Sequence, residues 1–288
     1  MNVDRKPLRV LVGSYKGVQK LRVANELRLQ SLEREYGGVM VGGDLEGIVR
    51  ELRSVEQKLY LRLRKVLKQF PLWTEWMSCV KGCGAVTAAY VIGWLDPDKP
   101  SPSHWWRYCG FGVVNGVAER RSRGEKTVYN PKLKTAMWNL TDAFVKRGGG
   151  YREALRHFYE EESQKINVGE VVLSERNVGM EYFDGEKWRP VTEKVVREVR
   201  SPVPVRLAKA HVYARARRKV AKLFLSHAWT VWRLLEGKPI RPHYAAERYG
   251  HLEYIMPVYD REPKPDWWHR LLRWADEKGL SIVDFSVT

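Results

Sequence analysis

Apolar side chains recur at helical spacing through the first part of the chain. Val18, Leu21, Asn25, Leu29, Leu32 and Tyr36 share one face, and Gly37-Gly38 with Gly42-Gly43 bracket a short turn. Leu45, Ile48, Val49, Leu52, Val55, Leu59, Leu63, Val66 and Phe70 then form a second seam with charged residues between them. Two such helices make an antiparallel hairpin over residues 1–70, or lend their seam to a coiled coil between subunits. Helical patterns return at 132–144 and 151–163, split by Lys146-Arg147-Gly148-Gly149-Gly150, and again at 205–235 with Leu207, Ala210, Ala214, Ala221, Phe224, Leu225, Ala228, Trp232 and Leu235 on one side. Between them, at 168–200, the period changes. Val171-Val172-Leu173 and Glu181-Tyr182-Phe183 predict strands, and Asp184-Gly185 a hairpin turn before Trp188, so a small β insertion is expected. Residues 241–288 carry an aromatic helix with Trp267, Trp268, Leu271, Leu272 and Trp274, placed to cover the core. The predicted fold class is mainly α, with a helical domain at 71–240 between these two regions.

Composition adds a partner. Among 288 residues, 51 Lys and Arg face 34 Asp and Glu, and the resulting net charge of +17 points to an anionic polymer. A hydrophobic fraction of 44% is enough to fill a core and argues against disorder. No apolar run approaches the roughly twenty residues that cross a bilayer. The start Met1-Asn2-Val3-Asp4-Arg5-Lys6 lacks the apolar stretch of a signal peptide, so we expect a cytoplasmic, nucleoid-associated protein without a membrane partner.

The most specific local signal is Cys79-Val80-Lys81-Gly82-Cys83-Gly84-Ala85-Val86-Thr87-Ala88-Ala89. An apolar-Lys-Gly-x-Gly-x-x-Thr-Ala-Ala pattern reads as a helix-hairpin-helix, whose glycine elbow and following helix N-terminus offer unpaired amides to a phosphate. Lys81, Gly82, Gly84 and Thr87 are the predicted grip on double-stranded DNA. The bland alternative is a glycine helix cap followed by the first turn of the next helix. After a Pro- and Ser-rich loop come His104, Trp105, Trp106, Arg107 and Tyr108, then Gly110-Phe111-Gly112 and a basic loop in which Arg120, Arg121, Arg123 and Lys126 are predicted to neutralise phosphates together with Arg107. Arg215, Arg218, Lys219 and Lys222 stand at relative positions zero, three, four and seven, which lines up four cations on one helix face as a further DNA contact. Arg217 projects toward the apolar side, where it either snorkels or makes a buried pair.

Three cysteines give no disulfide framework and suit a reducing compartment. Cys79, Cys83, His104 and Cys109 form a weaker alternative, a zinc site of three thiolates and one imidazole, against their reading as core residues.

The order of these blocks carries a resemblance. A long helix, Val80 to Ala89, Trp-Trp-Arg-Tyr-Cys-Gly-Phe-Gly at 105–112, a basic loop, Tyr-Asn-Pro-Lys-Leu-Lys at 129–134, Tyr-Arg-Glu-Ala-Leu-Arg-His-Phe-Tyr at 151–159 and Ala-His-x-x-Ala-x-Ala-Arg-Arg-Lys at 210–219 together resemble the C-terminal domain of insertion-sequence transposases of the 110/116/902 group, over roughly residues 45–237. The resemblance implies a mainly helical domain that contacts DNA and works in a homo-oligomer, with any sequence selection supplied by a partner subunit or a guide RNA. Full-length members of that group also have an N-terminal ribonuclease-H-like domain with acidic metal ligands, which Asp4, Asp44 and Glu46 do not replace. Where the group places a nucleophilic serine, this chain has Asn115-Gly116, and Ser122 among Arg120, Arg121 and Arg123 is the nearby hydroxyl. We therefore expect a transposase-like DNA-binding protein of DNA recombination that is not a complete catalyst alone. It needs no cofactor of its own, and a divalent metal enters only with a separate nuclease subunit. Two rivals remain: a serine recombinase acting through Ser122, and a structural RNA-binding protein whose Trp and Tyr side chains stack on unpaired bases.

Overall fold

The computed structural model describes residues 4–36, 43–114, 117–118, 124, 126–241 and 253–286. It is mainly helical. The expected turn at 37–42, the Asn115-Gly116 pair and the Arg120, Arg121, Ser122 and Arg123 cluster lie outside the described residues. Among the described residues, no helix is long and apolar enough to cross a membrane.

Helices α1 (Lys6–Tyr36) and α2 (Gly43–Leu67) pack along each other as the antiparallel hairpin that the seams predict. At 31 residues, α1 is about 46 Å long. Among the described residues, one end of the hairpin is anchored in the main core. Leu8, Val12, Leu63 and Leu67 join the main core, whereas Leu21, Leu27, Ile48 and Val55 remain exposed farther out. Mid-hairpin cohesion is polar: Glu56 accepts from Gln19 at 2.8 Å and pairs with Arg22 at 2.5 Å, and Glu26 pairs with Arg22 at 2.5 Å and Arg53 at 2.6 Å. Burial pushes the Glu56 carboxyl up, but hydrogen bonds from Arg22, Gln19 and Tyr15 outweigh it and hold the group below its ordinary value. The same burial, with Glu56 beside it, raises the Tyr15 phenol to about 12.

The core is built around α9 (Lys209–Leu235). Its first half alternates buried Val212, Ala216 and Val220 with cations, and from Ala221 to Trp232 nearly every side chain is buried. Around it lie α3 (Pro71–Glu75), α4 (Ala85–Trp94), α5 (Pro102–Tyr108), α6 (Pro131–Arg147) and α7 (Gly150–Ser163). Asn130 starts α6 by accepting from the amides of Lys132 at 3.0 Å and Leu133 at 3.3 Å, and Pro131 supplies a first residue that needs no acceptor. Trp76 stacks on Phe224 at 5.3 Å and Tyr151 on Phe144 at 4.6 Å. The Nε2 of His227 lies 2.9 Å from the Ile255 carbonyl, which only accepts, so Nδ1 is the acceptor for the Tyr151 hydroxyl at 2.7 Å.

The β insertion is longer than expected. Short strands β1 (Val113–Val114) and β2 (Val117–Ala118) pair before α6, and the insertion proper comprises β3 (Asn167–Val171), β4 (Glu181–Phe183), β5 (Trp188–Pro190) and β6 (Val203–Arg206). These form an antiparallel sheet in the order β3-β6-β4-β5. The Asp184 turn forms as expected, with its carboxylate accepting from the amides of Glu186 at 3.0 Å and Lys187 at 2.9 Å. Those amides, with Arg189, hold the carboxyl well below its usual range. Two boundaries differ from the sequence reading. The first strand ends at Val171 instead of starting there, and residues 205–206 are strand rather than helix because Val203 and Val205 are taken up in pairing with Val171 and Gly169 across the sheet. Leu173, Val191 and Val205 make a separate small core with Val195 and Val199 around α8 (Glu193–Glu198).

The C-terminal helix α10 (Asp266–Glu277) buries Trp267, Leu271 and Ala275. A parallel pair that no sequence pattern announced flanks it, β7 (Glu253–Ile255) and β8 (Ser281–Val283). The Trp76 indole N–H donates to the Val258 carbonyl at 2.9 Å, so the C-terminal segment is tied directly to the hairpin region.

Candidate nucleic-acid interface

The glycine elbow has a sealed side and an open side. Its first arm is short, α3 followed by a 3-10 turn at Met77–Cys79, so only the second arm, α4, is a full helix. The Cys83 amide closes the turn onto the Val80 carbonyl at 3.0 Å. Gly82 adopts φ +91°, and a Cβ there would stand 2.9 Å from Phe144 and 3.1 Å from the Ala143 backbone. Glycine is thus required twice, by conformation and by the approach of α6. Val80, Cys83 and Ala85 are buried beneath it.

Gly84 faces the other way. It is exposed, extended, and a Cβ on it would meet nothing within 4 Å. As the residue capping α4 it has no side chain to offer, and the first bond of the helix runs from the Ala88 amide to the Gly84 carbonyl at 3.1 Å. Among the described residues, the amides of Ala85, Val86 and Thr87 have no acceptor. The opposite end of α4 is closed by cations, since the Arg5 and Arg9 guanidiniums donate to the carbonyls of Leu95 and Gly93. The helix therefore keeps its positive end open and its negative end satisfied.

A residue that sequence reasoning missed occupies the sealed side. The carboxylate of Asp260, 9% exposed, accepts from the Lys81 amide at 2.8 Å and from the Gly150 amide at 2.9 Å. It bridges the elbow and the N-terminus of α7. Gly149, at φ +86°, leaves no room for a Cβ, which would lie 2.7 Å from Asp260 Oδ2 and 2.8 Å from Lys81 Cβ. A Cβ on Gly150 would be 2.3 Å from the Phe285 carbonyl. The run Gly148-Gly149-Gly150, which in sequence only separates two helices, is where the C-terminal segment reaches the elbow. The Lys81 amide is therefore spoken for, and its exposed ammonium is what this residue retains for a ligand.

The cation stripe on α9 lies on one face as predicted, yet its members are engaged. Arg215 pairs with Glu162 at 2.9 Å, and Lys219 reaches Glu161 and Glu162 at 2.8 Å each. Glu162 is 2% exposed; burial pushes its carboxyl up, but the Lys219 hydrogen bond and the charges of Lys219, Arg215 and Lys165 win and lower it. Burial alone would lower the Lys219 ammonium, but the hydrogen bonds it donates to Glu161 and Glu162 raise it. Lys222 stands 5.2 Å over the Trp106 ring, and burial followed by the charge of Arg218 lowers its ammonium. Arg218 is half-buried and has contacts of its own. Arg217 makes a pair that sequence could not identify: it bonds the Asp142 carboxylate at 2.7 Å, Thr141 Oγ1 at 2.9 Å and the Trp138 carbonyl at 2.8 Å. Arg107 and Lys126 are exposed and Thr87 is half-buried in the first turn of α4.

The four residues of the zinc alternative lie in different settings. Cys79, Cys83 and Cys109 are buried, with burial pushing the Cys83 and Cys109 thiols up, while His104 is exposed with its Nδ1 3.2 Å from Ser101 Oγ. Among the described residues no group of three or more His, Cys, Asp or Glu side chains is placed to hold a metal. The tryptophans offered as stacking platforms are mostly structural: Trp76, Trp105 and Trp229 are buried, and the Trp106 N–H donates to the Lys222 carbonyl at 3.0 Å.

Comparison with known protein families, with curated proteins and with solved structures finds no match to this chain.

Proposed function

We propose that this chain is a transposase-like DNA-binding protein that grips the duplex backbone without reading bases. The observation that supports it best is the open N-terminus of α4 behind the Gly82 elbow, where the amides of Ala85, Val86 and Thr87 have no acceptor among the described residues, in a chain of net charge +17. Ala85 is buried, so a phosphate oxygen accepting from the half-buried Val86 and Thr87 amides next to the Lys81 ammonium is held by geometry that no base edge influences, and binding is weakly sequence-specific. Arg107 and Lys126 extend the electrostatic footprint. Strand transfer is assigned to the assembly in which the chain works, with the exposed apolar positions of the α1–α2 hairpin as its oligomerising surface.

Gly84→Asp tests the grip. The backbone at Gly84 is ordinary for any residue and the space beyond it is open, and Asp is at least as good a helix cap as Gly, so the fold survives while a carboxylate takes the phosphate position. Anisotropy titration of a short duplex should show about a tenfold or greater loss of affinity, about 1.4 kcal/mol or more. Unchanged affinity at equal salt would remove the hairpin from the interface.

A further inference from the structure

A groove of about 580 Å³ runs between α7 and α9. Buried Leu155 and the rings of Tyr159 and Tyr213, which meet edge to face at 6.2 Å and 70°, make its apolar floor, and the exposed Val145, Arg152 and Lys209 stand among its walls. Its size is that of a small-ligand site. Resting on the reading of the chain as a nucleic-acid binder, we propose that this groove receives one unpaired base of the strand whose backbone the elbow holds.

Three observations carry the proposal. The floor pairs an aliphatic side chain with two phenol rings, the surface on which a flat heterocycle stacks whatever its identity. The neighbouring cations suit the phosphates on either side of that base, in a chain already rich in positive charge, whereas the single carboxylate there, Glu160, supplies an acceptor for an exocyclic amino group. The Arg152 end of the groove also lies near Lys81, the residue whose ammonium the proposed grip uses. Gly149 stands against Lys81, and the Arg152 amide bonds the Gly149 carbonyl at 2.9 Å, so Lys81 and Arg152 belong to the same end of α7. A paired base inside a duplex cannot enter such a site without leaving its stack, which makes bulges, mismatches and strand ends the preferred ligands.

The full chain is titrated with three duplexes of one sequence: fully paired, with a single bulged adenine, and with an abasic bulge that keeps the extra phosphate but lacks the base. The bulged adenine should bind about tenfold more tightly than the other two. Tyr213→Ala should erase that preference while leaving paired-duplex affinity in place, and Ala210→Trp, at an exposed position on the groove wall, should do the same by filling the space without removing any core side chain. Equal affinity for all three duplexes overturns the groove assignment and leaves the backbone grip standing. Failure to bind any of them overturns both. Displacement of only the bulged duplex by an acidic, tyrosine-containing peptide would give the groove to a protein partner instead and overturn its assignment to a base.

Discussion

The glycine elbow and the cation stripe of α9 look alike in sequence, as two features ready for phosphate, and the structure treats them differently. At the stripe, Glu161 and Glu162 of α7 answer Arg215 and Lys219, so much of the charge is spent on joining two helices. At the elbow, Asp260 answers only the Lys81 side, and the α4 end stays open. A periodicity argument can place cations on one face; it cannot reveal whether the facing helix brings carboxylates. A count of charges therefore does not tell which cations are already paired within the fold.

The largest effect expected from breaking this contrast is on stability. Asp260→Ala leaves the amides of Lys81 and Gly150 without their shared acceptor in a nearly buried site, and should cost about 2–4 kcal/mol, read by denaturant unfolding. Gly149→Ala should cost a comparable amount, roughly 3 kcal/mol, because its positive φ and the loss of room for Asp260 add together. If Asp260→Ala were neutral, the sealed side would not be held by this carboxylate.

A smaller effect is expected at the stripe. Glu162→Gln removes the charge shared by Arg215 and Lys219 and should raise duplex affinity severalfold at low salt while steepening its salt dependence. Affinity that stays flat would show that this face is remote from DNA. The same substitution has a pH signature. Because the folded Glu162 carboxyl is held below its ordinary value of 4.5, its stabilisation is fully present above that pH and is lost as pH falls through the lowered folded value. The stability gap between wild type and Glu162→Gln should therefore narrow on acidification below about pH 4.5 and be constant above it, as thermal unfolding across that range will show.

Local signals made much of the fold legible. The two seams of the N-terminal hairpin, the Asn130-Pro131 helix start and the Asp184 turn each depend on neighbours within a few positions, where spacing and capping chemistry decide. What was not legible joins distant positions. Asp260 is 179 residues from Lys81, Glu161 is 58 from Lys219, and the parallel strands Glu253–Ile255 and Ser281–Val283 are too short to declare a period. Arg217, by its place on the apolar side, signalled either snorkelling or a buried pair, and its partner Asp142, half-exposed, is on another helix. For the candidate site, the glycines pointed to the turn at Gly82, while the Asp260 contact that takes up the Lys81 amide comes from the C-terminal segment, which no local pattern foretold.

On the proposed reading, the start of α4, and not the sealed face of the elbow, meets a backbone phosphate. Amide chemical shifts followed by NMR as duplex DNA is added test it residue by residue. The signals of Val86 and Thr87 should move with the titration while those of Lys81 and Gly150, held by Asp260, stay in place. Saturable DNA binding with Val86 and Thr87 unmoved would contradict it.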